Sequence, residues 1–158
     1  KPGFGAMGTI VSAGDLNGDG WLDLIALEST SNTLNALRGD DGSPLWAVDT
    51  FRDSFPVLGD LDGDGRLEVL FKASEGHLEA RNGEDGAFLW SHQDSIYLRT
   101  APALGDIDGD GRLDVVTGKS YNLYAVTTGT LLPPAPLLPW PMARHDPWGT
   151  AGGLSRED

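Results

Sequence analysis

One nine-residue pattern recurs three times along the chain and limits its possible folds more than any other feature. The pattern reads Asp-x-Asn/Asp-Gly-Asp-Gly-x-Leu-Asp/Glu and occupies positions 15–23, 60–68 and 106–114. Its starts lie 45 and 46 residues apart, which indicates a tandem repeat. A period near 45 residues is typical of a four-stranded propeller blade. The 158 residues therefore hold three such units.

These three segments also carry most of the negative charge. The formal net charge is −13, and 11 of the 24 acidic side chains lie in the three segments, so the charge without them would be −2. Two like charges about 4 Å apart repel by roughly 1 kcal/mol in water and by more near a protein surface. A bound divalent cation would relieve this repulsion. The ligands are hard oxygens without His or Cys, which favours Ca²⁺ or Mg²⁺, and a flexible loop favours Ca²⁺.

The spacing predicts five ligands in each loop and three Ca²⁺ sites in all. Positions one, three, five and nine would supply side-chain oxygens, and position seven would supply a backbone carbonyl. Glycines at positions four and six let the loop curl, since glycine reaches positive φ at little steric cost. The candidate metal-binding residues are Asp15, Asn17, Asp19, Trp21 and Asp23, then Asp60, Asp62, Asp64, Arg66 and Glu68, then Asp106, Asp108, Asp110, Arg112 and Asp114.

Two other interpretations of the loops are disfavoured. An EF-hand shares the opening pattern but needs a bidentate Glu at position twelve and flanking helices. Position twelve is Ala26, Phe71 or Thr117, and each loop leads into a short apolar run that predicts a strand. Metal-free Asp-Gly turns could explain one such cluster, but three near-identical copies argue against them.

The predicted fold class is all-β, with three tandem four-stranded propeller-type blades of about 45 residues at about 9–50, 51–95 and 96–132. Gly and Pro together make up 32 of the 158 residues, which disfavours long helices. Turns are predicted at Glu75-Gly76, Asn82-Gly83 and Thr128-Gly129. The fourth strand of the third unit is degenerate. Trp46 and Trp90 are 44 residues apart, and we expect them to pack between neighbouring blades.

A different composition begins after the third unit. Six prolines fall within fifteen residues of segment 133–158. Proline lacks the N–H that a central strand needs, so this segment predicts an extended arm or closing segment. Its apolar side chains would dock onto this molecule or a neighbour, and they are Leu137, Leu138, Trp140, Met142 and Trp148.

The acidic loops with their flanks at 14–20, 59–65 and 105–111 resemble FG-GAP/VCBS repeats, the Ca²⁺-binding blades of integrin alpha-subunit propellers and of many secreted bacterial proteins. The resemblance covers about residues 9–132. It implies propeller blades with Ca²⁺ in the loop between the first two strands, and an extracellular or cell-surface location. Stretches 36–46 and 80–90 resemble a structural Trp-docking repeat, and stretch 140–149 is similar to a closing segment of this repeat class.

The blade count departs from that family, which usually has about seven. Three blades cannot readily close a ring, so the outer units would expose strand edges and apolar faces. The chain begins at Lys1 without a signal-like stretch, which predicts a mature or trimmed product or a fragment. Three options follow: a piece of a longer propeller, copies that close a ring, or a filament. Of these options, we expect the chain to associate with copies of itself and not to be a lone fragment of a propeller.

The predicted function is a non-catalytic extracellular Ca²⁺-binding repeat protein with a structural, self-assembly or adhesion role. The alternative is a fragment of a larger propeller that recognises a carbohydrate or protein ligand. His77, His92 and His145 are isolated, and no nucleophile-elbow or zinc-site spacing occurs. The sequence therefore predicts no enzyme.

Further partner classes are limited by charge and composition. A net charge of −13 disfavours nucleic acid, and no apolar run approaches the ~20 residues that span a bilayer. The absence of Cys excludes disulfides and thiolate metal sites. Arg38-Gly39-Asp40 spells a cell-adhesion tripeptide, and the sequence does not decide whether it functions as one.

Overall fold

The computed structural model describes residues 11–28, 30–50, 54–73, 77–92, 100–119 and 122–131. All regular structure in these ranges is β, in three antiparallel sheets, as the all-β prediction requires. The strands are β1 (Val11–Gly14), β2 (Asp23–Glu28), β3 (Thr33–Leu37), β4 (Pro44–Asp49), β5 (Val57–Gly59), β6 (Glu68–Lys72), β7 (Leu78–Asn82), β8 (Phe88–His92), β9 (Ala103–Gly105), β10 (Arg112–Lys119) and β11 (Asn122–Leu131).

Each sheet is a meander in which consecutive strands are neighbours. The strand orders are β1-β2-β3-β4, β5-β6-β7-β8 and β9-β10-β11. The acidic loop joins the first two strands of every sheet. In the second sheet, for example, Gly59 before the loop pairs with Glu68 at its end. Each predicted metal loop is therefore closed at its base by a strand pair.

The third sheet differs from the prediction. The first two sheets have four strands, but among the described residues the third has three. The predicted Thr128-Gly129 turn is wrong, because β11 runs through both residues to Leu131. The first two units turn at Asp-Gly pairs there, whereas the third has a Thr-rich segment, which favours an extended strand. The Glu75-Gly76 turn and the arm at 133–158 lie outside the described residues.

Two apolar clusters lie between the sheets. The middle sheet is buried on both faces because successive side chains of a strand point to opposite sides. Val69 and Phe71 of β6 join the cluster shared with the first sheet, and Leu70 joins the cluster shared with the third. Both clusters are removed from water, which stabilises the stack by about 25 cal/mol per Å² of apolar surface buried.

Trp46 and Trp90 lie between sheets, as predicted. The Trp46 ring packs against the first cluster, and its Nε1–H donates to the Gly83 carbonyl of the second sheet at 2.8 Å. Gly86 comes so close that an added Cβ would sit 2.8 Å from the Trp46 ring. Trp90 packs against the second cluster in the corresponding way. The repeated tryptophan therefore joins each blade to the next.

We expect Trp46→Phe to lower the free energy of unfolding by about 1–2 kcal/mol, because the Gly83 carbonyl loses its donor across the first interface. Trp21→Phe is the matched control. The Trp21 side chain is 61% exposed, so its replacement should change stability by less than about 0.5 kcal/mol. Urea unfolding followed by circular dichroism measures both variants. Equal losses in the two would contradict the role of Trp46 between sheets.

Candidate metal centres

The aspartate at position one folds each loop around its own carboxylate. Asp15 Oδ1 accepts from the amide of Gly18 at 2.8 Å, and its Oδ2 accepts from that of Gly20 at 2.9 Å. Asp60 and Asp106 accept from the corresponding glycine amides in their loops. All six glycines have φ between 75° and 87°, the left-handed region that favours glycine. The predicted curl of the loops is confirmed.

The side chains at positions three and five form successive turns along each loop. In the second loop, Asp62 Oδ1 accepts from the Asp64 amide at 3.1 Å, and Asp64 Oδ1 accepts from the Arg66 amide at 2.8 Å. The same two bonds recur in the first and third loops. Such side-chain-to-backbone bonds explain why Asp and Asn occupy these positions whether or not an ion is present.

The carboxylate at position nine is buried at or within two residues of the start of the second strand. Asp23 and Glu68 are fully buried, and Asp114 is 3% exposed. Each accepts a hydrogen bond from the amide at position two of its own loop, at 3.0 Å for Asp23, 2.6 Å for Glu68 and 3.0 Å for Asp114. These bonds attach the beginning of every loop to the second strand of its sheet.

The second and third loops bring three carboxylates together. Asp60, Asp62 and Glu68 each place an oxygen within 4.8 Å of the others. Positions one, three and nine of the third loop do the same, with Asp106, Asp108 and Asp114. Convergent carboxylate oxygens suit a hard divalent cation. These two groups are acidic clusters that could hold a metal.

Glu68 gives the second loop an unsatisfied ligand atom. Its Oε2 accepts from the Leu61 amide, but its Oε1 is buried without a hydrogen-bond partner. Burial, against the opposing Leu61 amide and with the added charges of Asp62, Asp64 and Asp60, raises the pKa of Glu68 to about 7. A buried acceptor without a partner costs roughly 1–3 kcal/mol. A cation at this oxygen would remove that cost.

The third loop satisfies its buried carboxylate within the protein. The Thr127 hydroxyl, together with the amides of Ile107 and Asp108, hydrogen-bonds Asp114 and holds the pKa of its carboxyl below the usual value. Thr127 lies directly opposite Asp114 in the β10–β11 register. Sequence reasoning missed this residue, because the contact crosses two strands.

The first loop is different again. Its position three is the neutral Asn17, and Arg38 Nη2 lies 2.8 Å from Asp19 Oδ2. Asp15, Asp19 and Asp23 form no three-carboxylate group of the kind found in the other two loops, in the part of the chain that is described. Of the predicted site residues, the structure therefore gathers positions one, three and nine of the second and third loops. Arg38 was missed as a loop residue.

The Arg38-Gly39-Asp40 tripeptide has a structural role in this first blade. Arg38 Nε lies 3.0 Å from Asp40 Oδ1, so both charged side chains pair within the blade. The Gly39 amide donates to Asp23 Oδ1 at 3.0 Å. A Cβ at Gly39 would sit 1.9 Å from the Leu22 carbonyl oxygen, so only glycine fits there.

Comparisons with known proteins decide the family. The FG-GAP-like repeat profile matches residues 15–71, and the FG-GAP repeat profile matches residues 99–130. The chain is an FG-GAP repeat protein. The first match covers the first two acidic loops and the second covers the third loop, so the resemblance seen in the sequence is confirmed.

Other comparisons add little to this assignment. No curated protein is a significant match to the FG-GAP chain. Nine chains of solved structures match, among them a crystal structure of BBS1N in complex with ARL6DN, soaked with lead. That match has 14% identity and a TM-score of 0.42, and it covers 84% of this chain and 55% of that one. The FG-GAP chain thus spans about half the length of this solved chain.

We expect Glu68 to make the metal-free protein less stable as the pH rises from about 4.5 to about 7. The unfolded carboxyl ionises near 4.5, whereas the folded one keeps its proton to about 7, so ionisation favours the unfolded state across this window. The loss relative to Glu68→Gln should reach roughly 3 kcal/mol by pH 7. Urea unfolding in chelator at a series of pH values measures it.

Glu84→Gln is the control for this pH series. The Glu84 side chain is half exposed and pairs with Arg66 outside the carboxylate cluster, so this variant should keep the wild-type pH profile. Parallel profiles for wild type and Glu68→Gln would show that the carboxyl of Glu68 ionises in the folded protein as it does in the unfolded one.

Proposed function

We propose that this FG-GAP repeat protein is a non-catalytic, extracellular Ca²⁺-binding module that works by assembling through its blade faces. The observation that carries the Ca²⁺ assignment is the buried, unpartnered Glu68 Oε1 beside Asp60 and Asp62. FG-GAP repeats are typical of extracellular and surface proteins, where Ca²⁺ is abundant. The described part of the chain holds no helix long and apolar enough to cross a membrane.

The ligand chemistry supports Ca²⁺ over softer metals. The second and third loops would hold the ion through Asp60, Asp62 and Glu68, and through Asp106, Asp108 and Asp114. These are carboxylate oxygens on Gly-rich loops, which suits the larger, less strictly octahedral Ca²⁺. The ion would neutralise the clustered charge and fix the loop against its sheet. Affinities of roughly 10⁻⁴–10⁻³ M are common for extracellular modules.

A structural role fits better than catalysis. The loop carboxylates are engaged by backbone amides, and FG-GAP repeats are generally non-enzymatic. His77 is largely buried, with its Nε2 3.5 Å from Glu79 Oε2, while His92 is exposed on β8. His145 lies outside the described residues. In the described part of the chain, neither His77 nor His92 makes a hydrogen bond or an ion pair with a loop carboxylate.

Self-association is supported by two leucine positions in the loop. The residue at position two packs towards the next sheet, and the residue at position eight packs towards the previous one. Leu16 and Leu67 thus share the first cluster, and Leu61 and Leu113 share the second. The outermost members of the series have no such neighbour among the described residues: Ile107 is 62% exposed and Leu22 is 65% exposed.

The outer face of the third sheet continues this apolar surface. Ala103, Val116 and Ala125 lie in register on the face that points away from the second sheet. Leu123, two residues along from Ala125, is 78% exposed, whereas Leu78 at the same place in the second sheet is 2% exposed. A second copy placed with its first sheet on this face would repeat the internal contact. Such head-to-tail contacts give a ring if the rotation closes and a filament otherwise.

The alternative function, recognition of a carbohydrate or protein ligand, has less support. The exposed aromatic side chains lie on separate parts of the chain: Trp21 in the first loop, Phe55 before β5, Phe88 on β8 and Tyr124 on β11. Arm residues 133–158 could also join neighbouring copies. The deletion experiment below distinguishes association through the arm from association through the sheet faces.

We expect chelation to lower the melting temperature, and millimolar Ca²⁺ to restore it. An ion that binds only the folded state stabilises it by about 2.7 kcal/mol per site at a hundredfold excess over Kd. Asp60→Asn should weaken this response, because position one anchors the second loop. Asp49→Asn removes an exposed carboxylate outside the loops and should leave the response unchanged. Differential scanning calorimetry with and without chelator measures it, and an unchanged melt would reject the Ca²⁺ proposal.

We expect Leu22→Glu and Leu123→Glu each to block self-association, because each places a charge on the apolar outer face at one end of the stack of sheets. Sedimentation velocity should then show a dimer when the two variants are mixed, since one intact interface remains. Phe88→Glu, at a 56% exposed site on the second sheet, is the control and should associate normally. Polymers that survive both changes but vanish on deletion of residues 132–158 would show that the arm joins the copies, against the face-to-face contact.

A further inference from the structure

The three loops differ in what balances their charge. Loop one has three carboxylates and a neutral Asn17, whereas loops two and three have four carboxylates each. In loop one, Asp19 Oδ2 receives two donors, Arg38 Nη2 at 2.8 Å and Asn17 Nδ2 at 3.0 Å. Among the described residues, the Asp64 carboxylate at the same place in loop two makes no ion pair, and Arg66 instead pairs with Glu84. In loop three, Arg112 Nε lies 3.9 Å from Asp110 Oδ2, well beyond hydrogen-bond distance.

Arg38 has a counterpart at the same backbone position in the other two blades. The amide of Arg38 donates to the Ser43 carbonyl, and that of Asn82 donates to the Ala87 carbonyl in the same way. Asn82 is opposite Glu68 in the register, just as Thr127 is opposite Asp114. The three blades therefore place Arg, Asn and Thr at equivalent positions. A cation stands at this position in the first blade alone of the three.

The first loop also leaves no buried acceptor in need of a cation. Asp23 Oδ1 accepts from the Gly39 amide and Oδ2 from the Leu16 amide, each at 3.0 Å. Glu68 at the equivalent position has one oxygen without any partner. Arg38 stays charged, because Asp40 first and Asp19 next raise its pKa. Loop one therefore has its own internal positive charge and a satisfied carboxylate set.

We propose that Arg38 serves as the resident cation of the first loop, so that this loop folds without a metal ion and the chain binds two divalent ions instead of three. The oxygen atoms of loop one do not suit an ion, because the Arg38 guanidinium already engages Asp19 and would repel a second positive charge beside it. This inference rests on the proposed Ca²⁺ function and assigns the ions to the second and third loops.

The first experiment counts ions on the wild-type chain. Native mass spectrometry in Ca²⁺ should show two ions per chain, and Tb³⁺ emission sensitised through Trp21, at position seven of loop one, should be missing. Trp21→Phe identifies the part of the emission that depends on this residue. A third ion with affinity similar to the other two, or a Trp21-dependent Tb³⁺ signal, would overturn the proposal and leave the Ca²⁺ function intact.

The second experiment changes the resident cation. Arg38→Asn introduces the residue that the second blade carries, and should add a third ion together with Trp21-dependent Tb³⁺ emission, with at least a tenfold gain in affinity at loop one. Arg81→Asn makes the same charge change on a guanidinium that pairs with Glu79 outside the loops, and should leave the count at two. Binding of two ions by both variants would overturn the proposal.

A failure of the Ca²⁺ function gives a different pattern, since wild type and both variants would then bind no ion and melt identically with and without chelator.

Arg38→Lys guards against a folding defect in Arg38→Asn, because it keeps the charge and should keep the count at two. An Arg38→Lys chain that binds three ions would also overturn the proposal.

Discussion

The buried carboxylate at position nine of each acidic loop is the group on which the blades depend. It lies at or within two residues of the start of the second strand, the one paired on both sides, and accepts a hydrogen bond from the amide at position two of its loop. Burying a carboxylate is costly unless it is paired or hydrogen-bonded. Loop and sheet are therefore coupled: whatever satisfies this carboxylate holds the loop, and with it the flanking apolar residues that pack between sheets.

That coupling links the charge of the loops to the stacking of the sheets. Positions two and eight flank the loop ligands and carry the leucines that enter the two inter-sheet clusters. A change in loop geometry therefore alters the packing of an apolar interface as well as the positions of the metal ligands. The middle sheet is stabilised on both faces, whereas Leu22 and Leu123 at the two ends stay exposed. Assembly and ion binding would then stabilise the same elements.

Local sequence predicted the features that depend on local physics. Glycine at positive φ, Asp at turns and apolar runs after each loop are encoded within about ten residues, so the loops and the strand after each loop were predicted correctly. The Thr128-Gly129 turn was wrong because Gly is weaker evidence for a turn than the Asp-Gly pairs of the other units. Arg38 and Thr127 could not be assigned to loops, because their partners are distant in sequence: Arg38 meets Asp19 across 19 residues. An alignment of the three units would have shown an isolated cation at that position.

Near-identical loops need not be equivalent sites, because each buried carboxylate is satisfied differently. Asp23 takes two backbone amides, Asp114 takes a threonine hydroxyl in addition to amides, and Glu68 leaves one oxygen bare. Glu68 is also one methylene longer than Asp23 and Asp114. Gly83, the counterpart of Gly39, donates its amide to the Leu67 carbonyl and not to the Glu68 carboxylate. The dependence on a cation should therefore be greatest in the middle blade, where the protein supplies the fewest donors of its own. Since that blade contacts both of its neighbours, an ion bound there would act on both inter-sheet interfaces at once.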